Sequence, residues 1–372
     1  MAKTPRFLPA LCVNPSFRRN HAELRSKVFQ RFNKVAAICL TIHTFSSIMG
    51  IKVVIDTVVV LLYNEEIKRQ YLATLSGRSV ETMRQRFRRV AQDEERLGKD
   101  LLEFTKDDLA MVFSSYGFLE VSSVRNLLST FSAYNQWAKS TGQNFQFSDA
   151  VEDFDARIGM IYMPSISQRL VSNPEALVST VTRLYPIDEG YEVLPALIFA
   201  WLGFTAGEAV QIKTEQVDCA QRRVFMPDGA LYPYPIPECF WEPLRVYAKT
   251  RVSERASNSS RRVFADDLGF FLKKMLTQDS KKFGTPFSPE NIIVSVTRFS
   301  LYYEERFHES VGFSYMTVMQ SGRYYRLYQS ELSGVDLYAK ENKDLVLELG
   351  KGKMTGDILT VYEAYRAVFY PR

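Results

Sequence analysis

A mainly α chain (α+β in class), built as two domains with a small β-sheet, is what this sequence predicts, and three observations carry that expectation. From Asn64 onward apolar residues recur at helical spacing in run after run, separated by Gly, Pro, Ser and Asn. Strand-like patterning is confined to one stretch, residues 222–236. The length, 372 residues, exceeds the usual size of one domain and suits two with a short extension or linker.

Composition narrows the class. A hydrophobic share of 46% with 24% charged residues describes an ordinary globular protein rather than a disordered one. Lys+Arg total 47 against 42 Asp+Glu, a net charge of only +5, so a polyanion partner has to be argued from where the charges cluster. Cys12, Cys39, Cys219 and Cys239 form no C-x-x-C pair, which points away from a disulfide framework or zinc site and toward a reducing cytoplasm. Histidine is limited to His21, His43 and His308, too few for a His-based metal site or a Ser-His-Asp triad in the main body. No P-loop, dinucleotide fingerprint or H-E-x-x-H motif occurs, and no cofactor is implied.

Residues 1–62 differ from the rest. The first 34 residues are basic and patternless; residues 35–63 are apolar but interrupted by His43, Lys52 and Asp56. A spanning helix needs about 20 mostly apolar residues, and a central charge costs about 2.5–3.5 kcal/mol, so no membrane anchor is expected. The segment reads as an N-terminal extension, and Met49 offers an alternative translation start.

Residues 63–142 carry four helical patterns. Asn64 is expected to cap a helix running through Leu75, with Glu65 and Glu66 in its first turn, where the macrodipole favours acids. A second, over 79–96, buries Val80, Met83, Phe87, Val90 and Ala91 and carries Arg78, Arg84, Arg86, Arg88 and Arg89 ahead of Asp93, Glu94 and Glu95. Five arginines within twelve residues, with the acids segregated behind them, suit a polyphosphate, although a charge run is more often a solvated face. Thr105 caps a third helix, and the fourth, from Ser122 or Ser123 to Lys139, turns Val124, Leu127, Leu128, Phe131, Tyr134 and Trp137 inward. Its other side carries Arg125, Ser129, Ser132 and Gln136. Residues 143–172 read as a linker, and residues 173–372 as the second domain. There, helices are expected over 175–185, 238–250, 268–277, 289–309, 314–332 and 355–369, with a hairpin turning at Pro227-Asp228-Gly229 whose second strand is an edge because of Pro233, Pro235 and Pro237.

One stretch, LPALIFAWLGFTAGEAVQIKTEQVD over residues 194–218, organises the second domain: an apolar helix broken by Gly203, then a short amphipathic helix. It resembles the first signature box of the tyrosine recombinases (phage integrases), with Glu208, Ile212 and Val217-Asp218 on that family's Glu, Leu and closing pair, and Thr205 where the catalytic Arg stands. Gln320-Ser321-Gly322-Arg323 with Gly334-Val335-Asp336 resembles the second box, keeping Arg323 but placing Gln320 at the His. Leu349-Gly350-Lys351 puts Lys351 at the second His, and Tyr362, eleven residues on, takes the place of the nucleophile. The resemblance implies a tyrosine-recombinase-like fold: an N-terminal helical core-binding (SAM-like) domain that clamps DNA, and a C-terminal integrase catalytic-like domain.

Phosphoryl transfer through such a site requires fixed guanidinium donors for charge that builds on the non-bridging oxygens, and losing one such donor typically costs about 10²–10³ in rate. With Thr205, Gln320 and Lys351 at the catalytic positions, no catalysis is expected, and Tyr362 reads more simply as part of an apolar helix face with Val361 and Tyr365. The segments YNEEIKRQYLATLSGRSVETMRQRFRRV, SVRNLLSTFSAYNQWA and SGRYYRLYQSEL are similar to the lytic-cycle repressors of SPβ-type phages, over roughly residues 63–372. That likeness implies a catalytically inactive prophage repressor that binds double-stranded operator DNA, with self-association open. Expected DNA contacts are Arg84, Arg88, Arg89, Arg125 and Gln136 from the first domain and Lys213, Arg323, Tyr324, Arg326, Lys351 and Lys353 from the second. The alternatives are an active recombinase using Tyr362, an accessory architectural protein, and a helical scaffold with merely solvated basic faces.

Overall fold

The computed structural model describes residues 62–187, 191–250, 252–254, 261–263, 269–273, 287–350 and 354–371. All of them belong to the unit 62–372 into which the chain divides after Leu61, so the expectations for the N-terminal extension fall outside the described residues.

The four helices expected first are present as α1 (Glu65–Ala73), α2 (Arg78–Leu97), α3 (Lys106–Ser115) and α4 (Val121–Ser140). Thr105 caps α3 through a reciprocal box: its hydroxyl accepts from Asp108 N, and its own N–H donates to Asp108 Oδ2 at 2.8 Å. Asn64 acts differently from the expectation; it lies in the left-handed region and its side chain donates to Asp100 Oδ2 at 3.1 Å instead of capping α1.

The stretch expected as a linker is more than a tether. It contains α5 (Ala150–Asp153) and α6 (Met163–Arg169), with Ile161, Tyr162 and Ile166 fully buried. Their apolar surface joins a core that includes Phe87, Phe113 and Tyr134 from the first helices and Leu327, Val361, Tyr362 and Tyr365 from the C-terminal ones.

A second core is organised by α8 (Val193–Leu202), in which every residue is buried. The α7 helix (Pro174–Leu184), capped by Asn173, packs against it, and Gly203 ends it with φ +95°. The amphipathic helix expected next is one turn, α9 (Ala206–Ala209), because the backbone then pairs sideways: Thr214 N–H donates to Gly269 C=O and Phe271 N–H to Ile212 C=O, both at 2.8 Å. The same pairing replaces the start of the helix expected over 268–277, with Gly269 at φ +72° and Phe271 and Leu272 buried.

The hairpin is rudimentary. Strands β1 (Val217–Asp218) and β2 (Arg223–Val224) pair antiparallel, Phe225 bridges Leu231 around Gly229, and the ladder ends where prolines begin to remove N–H donors. Helix α10 (Trp241–Lys249) follows, then the antiparallel pair β3 (Val252–Glu254) and β4 (Arg261–Val263). The chain finishes with α11 (Pro289–Phe307), α12 (Tyr315–Leu332), an unforeseen α13 (Lys343–Leu349), and α14 (Thr355–Phe369). The described residues are thus mainly helical, with only two-stranded sheets.

Candidate nucleic-acid interface

Helix α2 sets its arginines outward because Met83, Phe87, Val90 and Ala91 occupy its inward face. Arg78 is exposed, Arg88 half-exposed, and Arg84 pairs with Glu81 at 3.0 Å. Arg86 crosses to α4, donating to Asn126 C=O at 3.2 Å, and burial lowers its pKa. That contact places the basic helix beside the outer face of α4. Ser122, Asn126, Ser129 and Gln136 form an exposed stripe there, at steps of four, three and seven residues that keep them on one side. Arg89 is held locally, its guanidinium 4.1 Å from the Tyr116 ring centroid and donating to Tyr116 C=O at 2.5 Å.

Arg125, expected to face DNA, instead reaches the C-terminal helix. Its Nη1 lies 2.6 Å from Asp357 Oδ2 on α14. A parallel tie runs from Gln320 Nε2 on α12 to Glu120 Oε1 at 3.1 Å. Between them lies a cavity of about 350 Å³ lined by Glu120, Ser122, Arg125, Arg323, Tyr324 and Asp357 among others. Arg323 is only 4% exposed, and its buried Nε finds no hydrogen-bond partner. Tyr324 is buried next to it, and burial raises its hydroxyl pKa.

The positions aligned with catalytic groups have structural duties. Thr205 caps α9: its hydroxyl accepts from Glu208 N at 3.2 Å, and its N–H donates to Glu208 Oε2 at 2.6 Å. Gln320 is spent on Glu120. Tyr362 is fully buried and its hydroxyl bonds Glu331, which also pairs with Arg366. Burial first, then the Glu331 carboxylate, push the Tyr362 pKa upward, the opposite of what an attacking phenolate needs. Glu331, which holds the hydroxyl, is eight residues past Arg323 on α12, about 12 Å along the axis.

Arg326 is turned inward. Its Nη1 donates to Trp201 C=O at 2.6 Å, satisfying a carbonyl left open at the end of α8. Lys213 is exposed and lies 3.9 Å from Glu215. Lys351 and Lys353 lie outside the described residues. Of the expected contacts, the structure therefore brings Arg84, Arg88, Arg89 and Gln136 onto the neighbouring helices α2 and α4 and gathers Arg125, Arg323 and Tyr324 around the cavity. Lys213 and Arg326 stand apart from both groups. Sequence reasoning missed Glu120, Asn126 and Asp357; only Asn126 left a signal, its helical spacing with Ser122 and Ser129.

The sequence that forms α1 to α4 has a known counterpart. Residues 62–140 match the MrpR N-terminal core-binding domain. Over 79 residues the chain is 35% identical to the SPbeta prophage-derived uncharacterized protein YopR of Bacillus subtilis (strain 168), a stretch covering 21% of this chain and 24% of YopR. The chain thus spans about a quarter of the length of that curated relative. Among solved structures, the integrase from mycobacterium phage Brujita is similar at 14% identity, covering 82% of this chain and 91% of that one at a TM-score of 0.30. Within the described residues no helix is long and apolar enough to cross a membrane.

Proposed function

We propose that this chain is a sequence-specific double-stranded DNA-binding protein, a prophage-type repressor of lytic genes that does not cleave DNA. The observation that carries the reading is the Arg86–Asn126 contact, which sets the arginine-bearing face of α2 beside the exposed Ser122–Asn126–Ser129–Gln136 stripe of α4 within a core-binding domain. Arginines that neutralise phosphates fix register and give salt-dependent affinity, while short polar side chains on a neighbouring helix read base edges. Arg84 and Arg88 are assigned to phosphate; Asn126 and Gln136 are assigned to bases, the amide geometry that suits adenine. Lys213 is a peripheral phosphate contact, and Arg323 a phosphate anchor reached through its cavity.

Gel shifts of the full chain on its own genomic DNA, read by sequencing the bound fragments, test this. One enriched sequence is expected. The double substitution Arg84→Ala/Arg88→Ala should weaken binding to all sequences alike and lower the salt slope by about 1.8, that is about 0.9 per lost phosphate contact. Gln136→Ala should blur the preference at one position. No enriched sequence at low or moderate salt would sink the reading.

The absence of cleavage is supported by Tyr362, buried against Glu331. A nicked suicide substrate should give no covalent adduct, and Tyr362→Phe should leave DNA affinity unchanged. An adduct abolished by Tyr362→Phe would establish the recombinase alternative.

A further inference from the structure

We propose that the cavity between residues 234–237 and helix α12 binds a small apolar molecule bearing one carboxylate, with Arg326 as its counter-ion. The cavity measures about 460 Å³, and Trp201, Tyr234, Ile236 and Tyr325 contribute its apolar walls. That size lies within the range of about 300–1,000 Å³ typical of small-ligand sites, which are mostly apolar with a few placed polar groups.

The charge state of Arg326 decides the ligand class. Its Nη1 is committed to Trp201 C=O, its guanidinium lies 5.6 Å from the Tyr234 ring centroid, and its buried Nε has no partner. Among the described residues no carboxylate forms an ion pair with it; burial lowers its pKa, Tyr232 and Tyr234 oppose that, and the like-charged Arg323 adds to it. A half-buried guanidinium with an unsatisfied Nε and no counter-charge is poorly compensated, and an anion entering the cavity supplies the missing partner. Glu175 also lines the cavity without pairing to Arg326, and Tyr234 donates to Glu348 at 2.6 Å. Those acids disfavour a dianion, so the ligand carries a single negative charge on an apolar or aromatic body. The inference does not depend on the DNA-binding reading.

Calorimetric titration of the full chain with 3-phenylpropanoate and with its neutral isostere 3-phenylpropan-1-ol tests the idea. The acid should bind one site at least tenfold more tightly than the alcohol. Ser330→Phe, which adds bulk inside the cavity, should weaken the acid at least tenfold, with thermal unfolding confirming that the variant is folded. Arg326→Met should abolish the preference for the acid, and Ser330→Phe keeps the test decisive if that variant fails to fold through loss of the Trp201 bond. Equal affinity for acid and alcohol, no binding of either, or binding unaffected by Ser330→Phe would overturn the proposal.

Discussion

At the scale of single residues, Gly322 shows how closely sequence can be tied to packing. A Cβ there would sit 1.9 Å from Trp201 C=O, backbone that cannot rotate away, so α12 and α8 approach this closely only with glycine between them. Gly322→Ala is therefore expected to destabilise the chain by about 1–3 kcal/mol or more through overpacking, read as a lower thermal midpoint. Gly356, in the first turn of α14, is the contrast: it is exposed, and its added Cβ would meet nothing within 4 Å. Gly356→Ala should be neutral or stabilise by about 0.5–1 kcal/mol. Thr205 makes the same point for chemistry. A cap whose hydroxyl and N–H both serve Glu208 is worth about 1 kcal/mol, so Thr205→Arg should cost stability yet yield no covalent adduct, because Tyr362 remains bonded to Glu331.

Among the elements, α1 and α2 are joined by a buried charge cluster. Lys68 Nζ lies 2.6 Å from both oxygens of Glu94 and 3.5 Å from Asp100 Oδ2, and all three residues are fully buried. Burial, reinforced by Asp100, lifts the Glu94 pKa to about 7 against the pull of Lys68. A carboxyl whose pKa is higher in the folded than in the unfolded chain binds protons preferentially when folded. Its contribution to stability therefore grows as pH falls from about 7 toward 4.5 and is lost as pH rises. Lys68→Met removes the opposing cation and should cost about 3–5 kcal/mol, most above neutral pH, with partial recovery in acid. Unfolding midpoints across that range check it; a pH-independent loss would mean the cluster is not coupled as described. None of this was visible in the sequence, where Glu94 stands among the acids behind the arginine run and Lys68 and Asp100 belong to no pattern. Local signals were legible: the period that buried Phe87 and Tyr134, the Thr105 cap, and the Gly203 stop all act within a few residues. Long-range pairing was not. The bridge between 212–214 and 269–271 replaced the start of an expected helix, and Arg125, placed on the DNA face by its spacing, found Asp357 more than two hundred residues later.

For the molecule as a whole, the two ties across the Arg323 cavity bear on how DNA would be held. Arg125–Asp357 and Gln320–Glu120 join the start of α4 to α14 and α12, and they enclose the arginine proposed as a phosphate anchor. A phosphate that reaches Arg323 has to compete with these partners, and the more exposed member is Arg125, whose side chain retains 40% of its accessible surface against 14% for Asp357. Asp357→Asn neutralises the competing acid and frees one cation beside the exposed stripe of α4. If the core-binding domain holds DNA as proposed, this substitution should tighten binding at low salt and steepen the salt dependence by about 0.9, one additional phosphate contact. Arg125→Ala should leave the slope of the parent chain unchanged while cancelling the gain in the double variant with Asp357→Asn. Should Asp357→Asn leave both affinity and slope untouched, Arg125 and Asp357 would be a structural brace between the first helices and the last, and Arg125 would make no phosphate contact.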